Sequence, residues 1–549
     1  MPARGRGHWR QRTAHRGPTS RRSARLGTSR ASAAASPPRS GRLYGADRPR
    51  VTPGARGRAM LARRLRMVLR MPRIRTVTGR VRCFPQRIVT AAIAAAAAGC
   101  AATALGCGDA GDAGPADAAA AAPDAGAPHA DAAPADATGA DAGADACPAG
   151  PAGLDCLFAQ WDDVTHACGA GRVAALRASL EARRGALPVW HAGRALFASF
   201  GRAVAVAGEF NDWDATALAT SRVCDTDLFA VEAAIPSGRY EYKLVVDGTW
   251  RLDPENWAFA YDDFDGNPDR RNSVLNTYDS GVGHLVQPPT PVCSDALGNC
   301  RALTAYLPAG YGDPANADRR YPALFMHDGQ NVFDDATCCF GFGGWNVNVT
   351  LDDEIAAGRV APVIVVGADN GLGQRNDEYG WPEAEGGLRA TFMQFQVEVV
   401  QPTAAQYWRI DANRVYTAGS SLGGNIALHL AFAYPDVYAG AASLSGALWP
   451  GEDTGASAFD ALAAAGKVPV ALYLDHGGDA TSGGDNYAIN VQMRDQLVAA
   501  GWRLATSPDC GPPDDDALCY FHDVGAAHNE LAWRARSWRF LRFLFPPAP

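Results

Sequence analysis

The chain has 549 residues, enough at ~100–200 residues per domain for two or three domains that each bury a core. Residues 1–100 hold 24 arginines and one acidic residue, whereas residues 101–549 hold 27 basic and 57 acidic residues, a net charge of −30. An acidic body of this size argues against a nucleic acid as a partner.

The first strongly apolar stretch, Ile88–Ala98, follows several arginines and precedes Gly99 and Cys100. It is shorter than the roughly 20 residues that span a bilayer, and its order of basic, apolar and small residues predicts a secretory signal. The small residues before Cys100 and before Cys107 resemble a bacterial lipoprotein cleavage site, where the cysteine is lipidated. We therefore expect an exported protein: a lipoprotein of the outer membrane or cell surface, held by its lipid anchor only, or a periplasmic or secreted protein.

Residues 1–70 are rich in Arg and Ser and have no apolar period. This composition has two explanations. The segment is a basic arm, or the start codon has been assigned upstream of the true one, which is then Met60, Met67 or Met71. The stretch 108–146 is almost entirely Ala, Asp, Gly and Pro, so it cannot bury a core and predicts a disordered linker. The expected organisation is a basic extension with signal peptide (1–107), the linker (108–146), a cysteine-containing helical lead-in (147–195), a β-sandwich (196–280) and an esterase domain (281–549).

Ten of the 13 cysteines follow the linker, which favours disulfides in an exported chain. Cys293 with Cys300, and Cys510 with Cys519, each bracket a short turn-rich loop and predict local bridges. The other six have no unique pairing: Cys147, Cys156, Cys168, Cys224, Cys338 and Cys339. No pair of CxxC motifs indicates zinc, and we expect no metal site.

Between about Leu196 and Asn276, short apolar-alternating runs are separated by turns, with Asp247-Gly248 as a hairpin signal. This spacing predicts a small immunoglobulin-like β-sandwich. The motifs that recur in order are Gly208–Trp213, Pro236–Lys243, Val246–Trp250 and Asp253-Pro254.

These motifs resemble the glycogen-binding module found at the N-terminus of isoamylases and in the β-subunit of AMP-activated kinase. The resemblance implies that Trp213, Lys243, Trp250 and Asn272 hold glucan. Flat aromatic faces suit the C–H face of a sugar ring, and polar neighbours suit its hydroxyls. The alternative is a module that only packs against, or shapes, the domain behind it.

From Arg301 onward, apolar strands alternate with longer helical stretches, which predicts a mostly parallel sheet with helices on both faces. The sharpest signal is Gly419-Ser420-Ser421-Leu422-Gly423, between a predicted strand and a predicted helix. Glycines at both ends of such a motif permit a tight strand-to-helix turn that exposes the serine hydroxyl. The pattern predicts Ser421 as a nucleophile.

A serine nucleophile needs a base and an acid, which in this fold follow it in the order acid, then histidine. His528 follows a strand and precedes the terminal helix, so it is the candidate base. Asp475, Asp479 and Asp485 all follow the strand Val468–Leu474; Asp485 opens a helix and is preferred, with Asp479 as the alternative acid.

The oxyanion of a tetrahedral intermediate needs two backbone N–H donors. Leu422 supplies one, and Gly329 or Gln330, in the loop after the strand Leu324–Met326, supplies the other.

Several motifs of this half resemble the esterase D family of α/β-hydrolases: His327–Asn331 followed by Gly344-Trp345, Arg375–Tyr379, Gly419–Gly424, Asp485–Tyr487 and Gly525–Glu530. That family includes feruloyl and acetylxylan esterases, enterochelin esterase, S-formylglutathione hydrolase and the mycolyltransferases. The stretch Asp475–Gly484 is longer than the usual acid loop of the family, so the identity of the acid stays open. The Cys338-Cys339 loop is a candidate lining of the acyl pocket.

The resemblance implies a serine carboxylic-ester hydrolase that needs no cofactor. With a carbohydrate-binding-like module in front, the expected substrate is a carbohydrate-linked feruloyl or acetyl ester. Two enzyme alternatives are an enterochelin-type siderophore esterase and an acyltransferase. An alternative of another class is a glycan-binding surface lipoprotein with an inactive hydrolase domain.

Overall fold

The computed structural model describes residues 145–547, except 263, 265–266, 268–269, 334–341, 506–509, 512 and 515. Cys100, Cys107, the signal peptide, nearly all of the linker and the Cys338-Cys339 pair lie outside the described residues. In the part of the chain that is described, no helix combines the length and the apolar character that a membrane span requires.

The lead-in is a helical hairpin of α1 (Leu154–His166) and α2 (Ala170–Glu181). Apolar residues at helical spacing on both helices, such as Leu157 and Leu176, are fully buried in a common core with the first strands of the module. Two disulfides fasten this hairpin, because Cys147 bonds to Cys156 and Cys168 bonds to Cys224. The two bridges predicted from spacing, Cys293–Cys300 and Cys510–Cys519, are also present.

The strands of the module and its junction are β1 (Val189–His191), β2 (Arg194–Phe200), β3 (Ala205–Gly208), β4 (Ser221–Arg222), β5 (Leu228–Ala234), β6 (Arg239–Val246), β7 (Thr249–Arg251), β8 (Ala258–Tyr261), β9 (Arg271–Asn276) and β10 (His284–Val286). The first of them begins before residue 196. The predicted hairpin joins β6 to β7, and Asp247 and Gly248 adopt φ angles of 50° and 76°, which such a two-residue turn requires.

The later strands are β11 (Val292–Ser294), β12 (Asn299–Arg301), β13 (Leu303–Leu307), β14 (Tyr321–His327), β15 (Ile364–Ala368), β16 (Ile410–Ser420), β17 (Gly440–Leu444), β18 (Ala471–His476), β19 (Arg503–Leu504) and β20 (Ala517–His522). The helices that follow the lead-in are α3 (Val347–Ala356), α4 (Arg375–Tyr379), α5 (Arg389–Phe395), α6 (Gln401–Tyr407), α7 (Leu422–Ala433), α8 (Ala458–Ala465), α9 (Tyr487–Ala500) and α10 (Glu530–Leu544). A π-helical segment, Gln396–Val400, joins α5 to α6.

The module is a sandwich of two antiparallel layers. One layer is a separate sheet in the order β1-β2-β5-β4, and the other is formed by β8, β9, β6, β3 and β7. Alternate residues of the facing strands fill the space between them, with Phe197 from one layer in contact with Tyr242 from the other.

The second layer of the sandwich continues directly into the hydrolase sheet. β10 pairs with β8 on one side and with β13 on the other, so strands of both parts belong to one mixed sheet in the order β19-β20-β18-β17-β16-β14-β15-β13-β10-β8-β9-β6-β3, with β7 paired to β6. Along this order, every neighbouring pair between β19 and β15 is parallel. Every neighbouring pair between β15 and β3 is antiparallel. The predicted α/β hydrolase with a β-sandwich in front is therefore confirmed, with one sheet shared between the two parts.

Helices cover both faces of the parallel region. Leu324 and Met326 of β14 pack in a core with α3 and α10, whereas Ala323 and Phe325 of the same strand pack in a core with α5, α6 and α7. Alternate residues of a strand point to opposite faces, so a strand that is covered on both sides reads as a continuous apolar run. This burial fixes the strand ends, where the candidate site lies.

Candidate active site

Ser421 lies in the turn between β16 and α7, with φ 56° and ψ −123°. Its carbonyl oxygen accepts hydrogen bonds from the N–H groups of Gly424 (3.1 Å) and Ala447 (2.9 Å), which hold this unusual conformation. A Cβ atom at Gly419 would lie 2.6 Å from the backbone of Gly423, so the turn needs glycine there. The arrangement presents a serine side chain at the carboxyl end of a parallel strand.

The loop after β14 lies beside this turn. Gly329–Asn331 form one turn of 3₁₀ helix, and a Cβ at Gly423 would lie 3.2 Å from Oδ2 of Asp328. Leu422 is the first residue of α7, so its N–H group has no acceptor within the helix. The two segments predicted to supply oxyanion donors are therefore neighbours.

An ion pair fixes the loop after β14. Nε and Nη2 of Arg375 lie 2.6 and 2.7 Å from the two carboxylate oxygens of Asp328, and Nδ2 of Asn370 donates to Oδ1 at 2.7 Å. Gly329 packs on β15 so closely that a Cβ would lie 2.6 Å from the carbonyl carbons of Gly367 and Ala368. Bidentate pairing and backbone contact together restrict where the N–H groups of Gly329 and Gln330 point.

His528 and Asp485 form a hydrogen bond, with 2.7 Å between Nδ1 and Oδ1. The Asp485 side chain is fully buried, and its second oxygen, Oδ2, accepts the hydroxyl of Ser445 (2.7 Å) and the N–H of Gly477. Asp485 also has a φ of 41°, an uncommon conformation for a residue other than glycine. The carboxylate is thus held by contacts on both of its oxygens, and one of these is the imidazole.

The other two aspartates of this region have different partners. Asp479 accepts hydrogen bonds from the N–H groups of Thr481 (2.7 Å) and Ser482 (2.8 Å) within its own loop. Asp475 is buried beside Arg536, with 3.1 Å between Oδ1 and Nε, and burial raises its pKa to about 6. The structure brings Asp485, and neither of these two, to His528.

The loop after β14 contacts the start of α10, which follows His528. Nδ2 of Asn331 donates to Oε1 of Glu530 at 3.3 Å, and the rings of Trp345 and Trp533 stack at 5.7 Å between centroids. The Trp533 ring also meets the His528 ring edge-on at 5.0 Å, and its Nε1 donates to Ser445 Oγ at 2.9 Å. The start of α10 therefore positions both His528 and the loop that is predicted to supply an oxyanion donor.

Arg536 is a site residue that the sequence analysis missed. It is buried in α10, where its Nη2 lies 2.7 Å from Ser445 Oγ and 3.4 Å from Asp485 Oδ2. A signal was available, because Arg536 occupies a helical position between the buried residues Trp533 and Phe540. A charged residue on the apolar stripe of a helix predicts a buried partner of opposite charge.

An exposed aromatic pair near Ser421 was also missed. Trp449 is 45% exposed, and its ring lies 6.1 Å from the Trp381 ring, with an angle of 64° between the two planes. Trp449 follows the segment whose Ala447 N–H bonds to the Ser421 carbonyl, so the pair belongs to the loops around the serine. An aromatic surface of this kind contacts planar or ring-shaped groups well.

The four residues that the family resemblance assigns to glucan binding share one face of the module. Alternation along β6, together with its pairing to β7 and β9, places Lys243, Trp250 and Asn272 on the face opposite the sandwich core. The rings of Trp213 and Trp250 lie 6.2 Å apart, and Trp250 is 43% exposed. Lys243 and Asn272 are each 6% exposed, and Asn272 Nδ2 donates to Glu241 Oε2 at 3.0 Å.

Comparison with protein families adds to this geometry. Residues 294–503 match the family model described as putative esterase, and residues 196–271 match the glycogen recognition site of AMP-activated protein kinase. The chain carries an esterase domain and a glycogen-recognition module. No curated protein matches the chain.

Solved structures that resemble the chain include three esterases. A ferulic acid esterase has 17% identity, covering 48% of this chain and 98% of its own, with a TM-score of 0.36. The enterobactin esterase of Shigella flexneri has 16% identity, covering 64% and 93%, with a TM-score of 0.33. The feruloyl esterase module of Clostridium thermocellum has 19% identity, covering 48% and 88%, with a TM-score of 0.33.

Proposed function

We propose that the protein is an exported serine carboxylic-ester hydrolase that acts on carbohydrate-linked esters through an acyl-enzyme. The observation that carries the proposal is the hydrogen bond from His528 to the buried Asp485 carboxylate, in a domain where Ser421 occupies the strand-to-helix turn. Four disulfides among the described residues support an oxidising compartment. A lipid anchor on Cys100 or Cys107 belongs to the same proposal.

In the acylation step, Ser421 Oγ attacks the ester carbonyl carbon while His528 Nε2 accepts the serine proton. Asp485 keeps the Nδ1–H tautomer and stabilises the imidazolium that forms. The oxyanion accepts hydrogen bonds from the N–H of Leu422 and from that of Gly329 or Gln330, and the proximity of the two segments that carry these residues supports this role. Collapse of this intermediate breaks the C–O bond, and the imidazolium gives its proton to the leaving alcohol.

In the deacylation step, His528 removes a proton from water, which attacks the acyl carbonyl. The second tetrahedral intermediate uses the same two donors, and Ser421 leaves with the proton from the imidazolium. Each step is described with side chains and backbone N–H groups of this chain, together with water.

The glycogen-recognition module and the Trp381–Trp449 pair support a carbohydrate-linked substrate. A sugar ring can stack on Trp213 and Trp250, and an aromatic acyl or sugar group can contact the pair beside Ser421. A feruloyl or acetyl group on a polysaccharide suits both features.

The test is hydrolysis by the purified protein of p-nitrophenyl acetate, methyl ferulate, acetylated xylan and a catecholate trilactone. We expect turnover of a feruloyl or acetyl carbohydrate ester, and its loss in Ser421→Ala. Ser420→Ala is the matched control, because Ser420 is the neighbouring serine and lies within β16. Turnover that survives Ser421→Ala, or a folded protein that hydrolyses none of the four, contradicts the proposal.

Glycan binding by the module has its own test. Trp213→Ala with Trp250→Ala should abolish sedimentation of the protein with insoluble polysaccharide, while p-nitrophenyl acetate turnover is retained. Unchanged sedimentation contradicts a sugar-binding role for this tryptophan pair.

A further inference from the structure

A cavity of about 360 Å³ lies where the helical lead-in, the module and the hydrolase sheet meet. It borders the residues just before β16, whereas Ser421 follows the other end of that strand. At about 3.3 Å per residue, the strand separates the cavity from the serine by roughly 20 Å or more. The cavity is therefore distinct from the candidate active site.

Aromatic side chains of the module and of the hydrolase part line the cavity. Four of them are half-buried, which leaves part of each ring accessible: Trp257, Tyr278, Tyr311 and Tyr407. The Trp257 and Tyr407 rings meet at 90° with 5.5 Å between centroids, which joins the module to the hydrolase helices. Such walls suit a planar or pyranose ring.

The charged side chains that line the cavity are all positive. Arg183, Arg184 and Arg409 contribute to its walls, and its described lining contains no aspartate or glutamate. This is unusual in a body with a net charge of −30 over residues 101–549. Arg184 has a carboxylate neighbour, Glu255, at 3.5 Å. Arg409 donates instead to the carbonyl oxygens of Arg319 and Tyr311.

Arg183 is the most unusual of these residues. It is 4% exposed, and its Nη1 and Nη2 donate to the carbonyl oxygens of Ser179 (2.7 Å) and Pro148 (2.5 Å). Its Nε has no partner among the described residues, and burial lowers the pKa of the guanidinium. A buried cation without a carboxylate is costly, and an anion beside it would offset that cost.

We propose that this cavity is a second ligand site, which binds a small carboxylate carrying a planar or pyranose ring. A free aromatic acid and a uronic acid both have this chemistry. The arginines would neutralise the carboxylate and the aromatic rings would contact the ring of the ligand. The inference does not depend on ester hydrolysis, because none of these residues lies at Ser421.

The test is isothermal titration calorimetry of the full protein with ferulate and with glucuronate. Vanillyl alcohol and glucose are the neutral comparators. In Arg183→Gln, we expect affinity for the bound carboxylate to fall at least tenfold. Gly312→Leu should abolish binding by filling the cavity, because a Cβ there meets only Tyr278 Cβ, at 3.6 Å. Arg320→Gln is the control, since Arg320 is exposed and lies outside the lining.

The far-ultraviolet circular dichroism spectrum should be unchanged in these variants, which reports that they fold. Binding of ferulate alone identifies an aromatic acid as the ligand, and binding of glucuronate alone identifies a uronic acid. The proposal is overturned if neither carboxylate binds, or if the neutral comparators bind as tightly. It is also overturned if a carboxylate binds equally well to Gly312→Leu, which would place it elsewhere. Gly312→Leu decides the question if Arg183→Gln fails to fold.

Discussion

Nδ1 of His528 lies 2.7 Å from Oδ1 of Asp485, although 43 residues separate them along the chain. Each comes from a loop at the carboxyl end of a parallel strand, Asp485 after β18 and His528 after β20, and these strands are neighbours. The carboxylate is fully buried and also accepts hydrogen bonds from Ser445 and Gly477. Its orientation toward the imidazole is therefore fixed by the fold.

Replacing Asp485 with asparagine tests this relationship. We expect Asp485→Asn to lower kcat for p-nitrophenyl acetate by about 10⁴, because an amide favours the wrong tautomer of the imidazole. Asp479→Asn should keep kcat within a few-fold, because Asp479 bonds only within its own loop in the described structure. Steady-state kinetics of both variants check this. A large loss in Asp479→Asn, with little loss in Asp485→Asn, would reverse the assignment of the acid.

Gly329→Ala tests the position of the loop after β14. A Cβ at residue 329 would lie 2.6 Å from backbone atoms of β15, so the loop must move and its N–H groups with it. Loss of one oxyanion donor costs about 10²–10³ in kcat, and we expect a loss of that order with the far-ultraviolet circular dichroism unchanged. Gly373→Ala is the control, because a Cβ there meets no atom within 4 Å. Wild-type kcat in Gly329→Ala would show that this loop does not supply the donor.

Arg536→Met tests the buried charges behind the site. The arginine lies 3.1 Å from Asp475 and 3.4 Å from Asp485, and methionine would leave both buried carboxylates without their cation. Breaking a buried pair costs about 3–5 kcal/mol, and the free energy of unfolding in urea should fall by that order. Arg414→Met removes an exposed ion pair with Asp411 and should cost about 1 kcal/mol or less. Equal losses in the two variants would refute a special role for the buried cation.

The stability of the fold should depend on pH through His429. Burial in α7, with a smaller effect of the Arg389 charge, lowers the pKa of His429 to about 3. In the unfolded chain a histidine binds its proton near pH 6.5, so between about pH 6.5 and 3 only the unfolded state is protonated. The free energy of unfolding therefore decreases as the pH falls through this window.

His429→Leu should remove the part of this pH dependence that His429 contributes. Between pH 7 and pH 5 we expect the variant to lose about 2 kcal/mol less stability than the wild type. Urea unfolding at the two pH values measures the difference, with His166→Leu, at the exposed end of α1, as the control. The same loss of stability in wild type and His429→Leu would contradict the prediction.

The sequence predicted the elements that depend on local pattern. Apolar runs located β14, β15 and β16, and Asp247-Gly248 located a hairpin whose backbone needs positive φ. Short loops between cysteines predicted two disulfides correctly, because a bridge across a tight turn needs only local geometry. The bridge between Cys168 and Cys224 spans 56 residues and could not be predicted, because it joins the lead-in to a strand-connecting loop of the module.

Contacts between distant segments were not accessible to the same reasoning. The pairing of β10 with both β8 and β13 joins the module to the hydrolase, and no short pattern encodes which strand edges meet. The partners of Arg536 and the exposed pair Trp381–Trp449 also arise from loops far apart in the chain. For this reason the sequence analysis preferred Asp485 as the acid but kept Asp479 as an alternative.

The sequence by itself determined the classes of structure and the residue types available for chemistry. Its periodicity requires helices and strands of given length, and the glycines around Ser421 require a tight turn, because these are properties of neighbouring residues. The tertiary structure alone decided that Asp485 reaches His528 while Asp475 pairs with Arg536 and Asp479 turns into its own loop. The physical reason is that burial and hydrogen bonding select one carboxylate among several only when strands from distant parts of the chain are packed side by side.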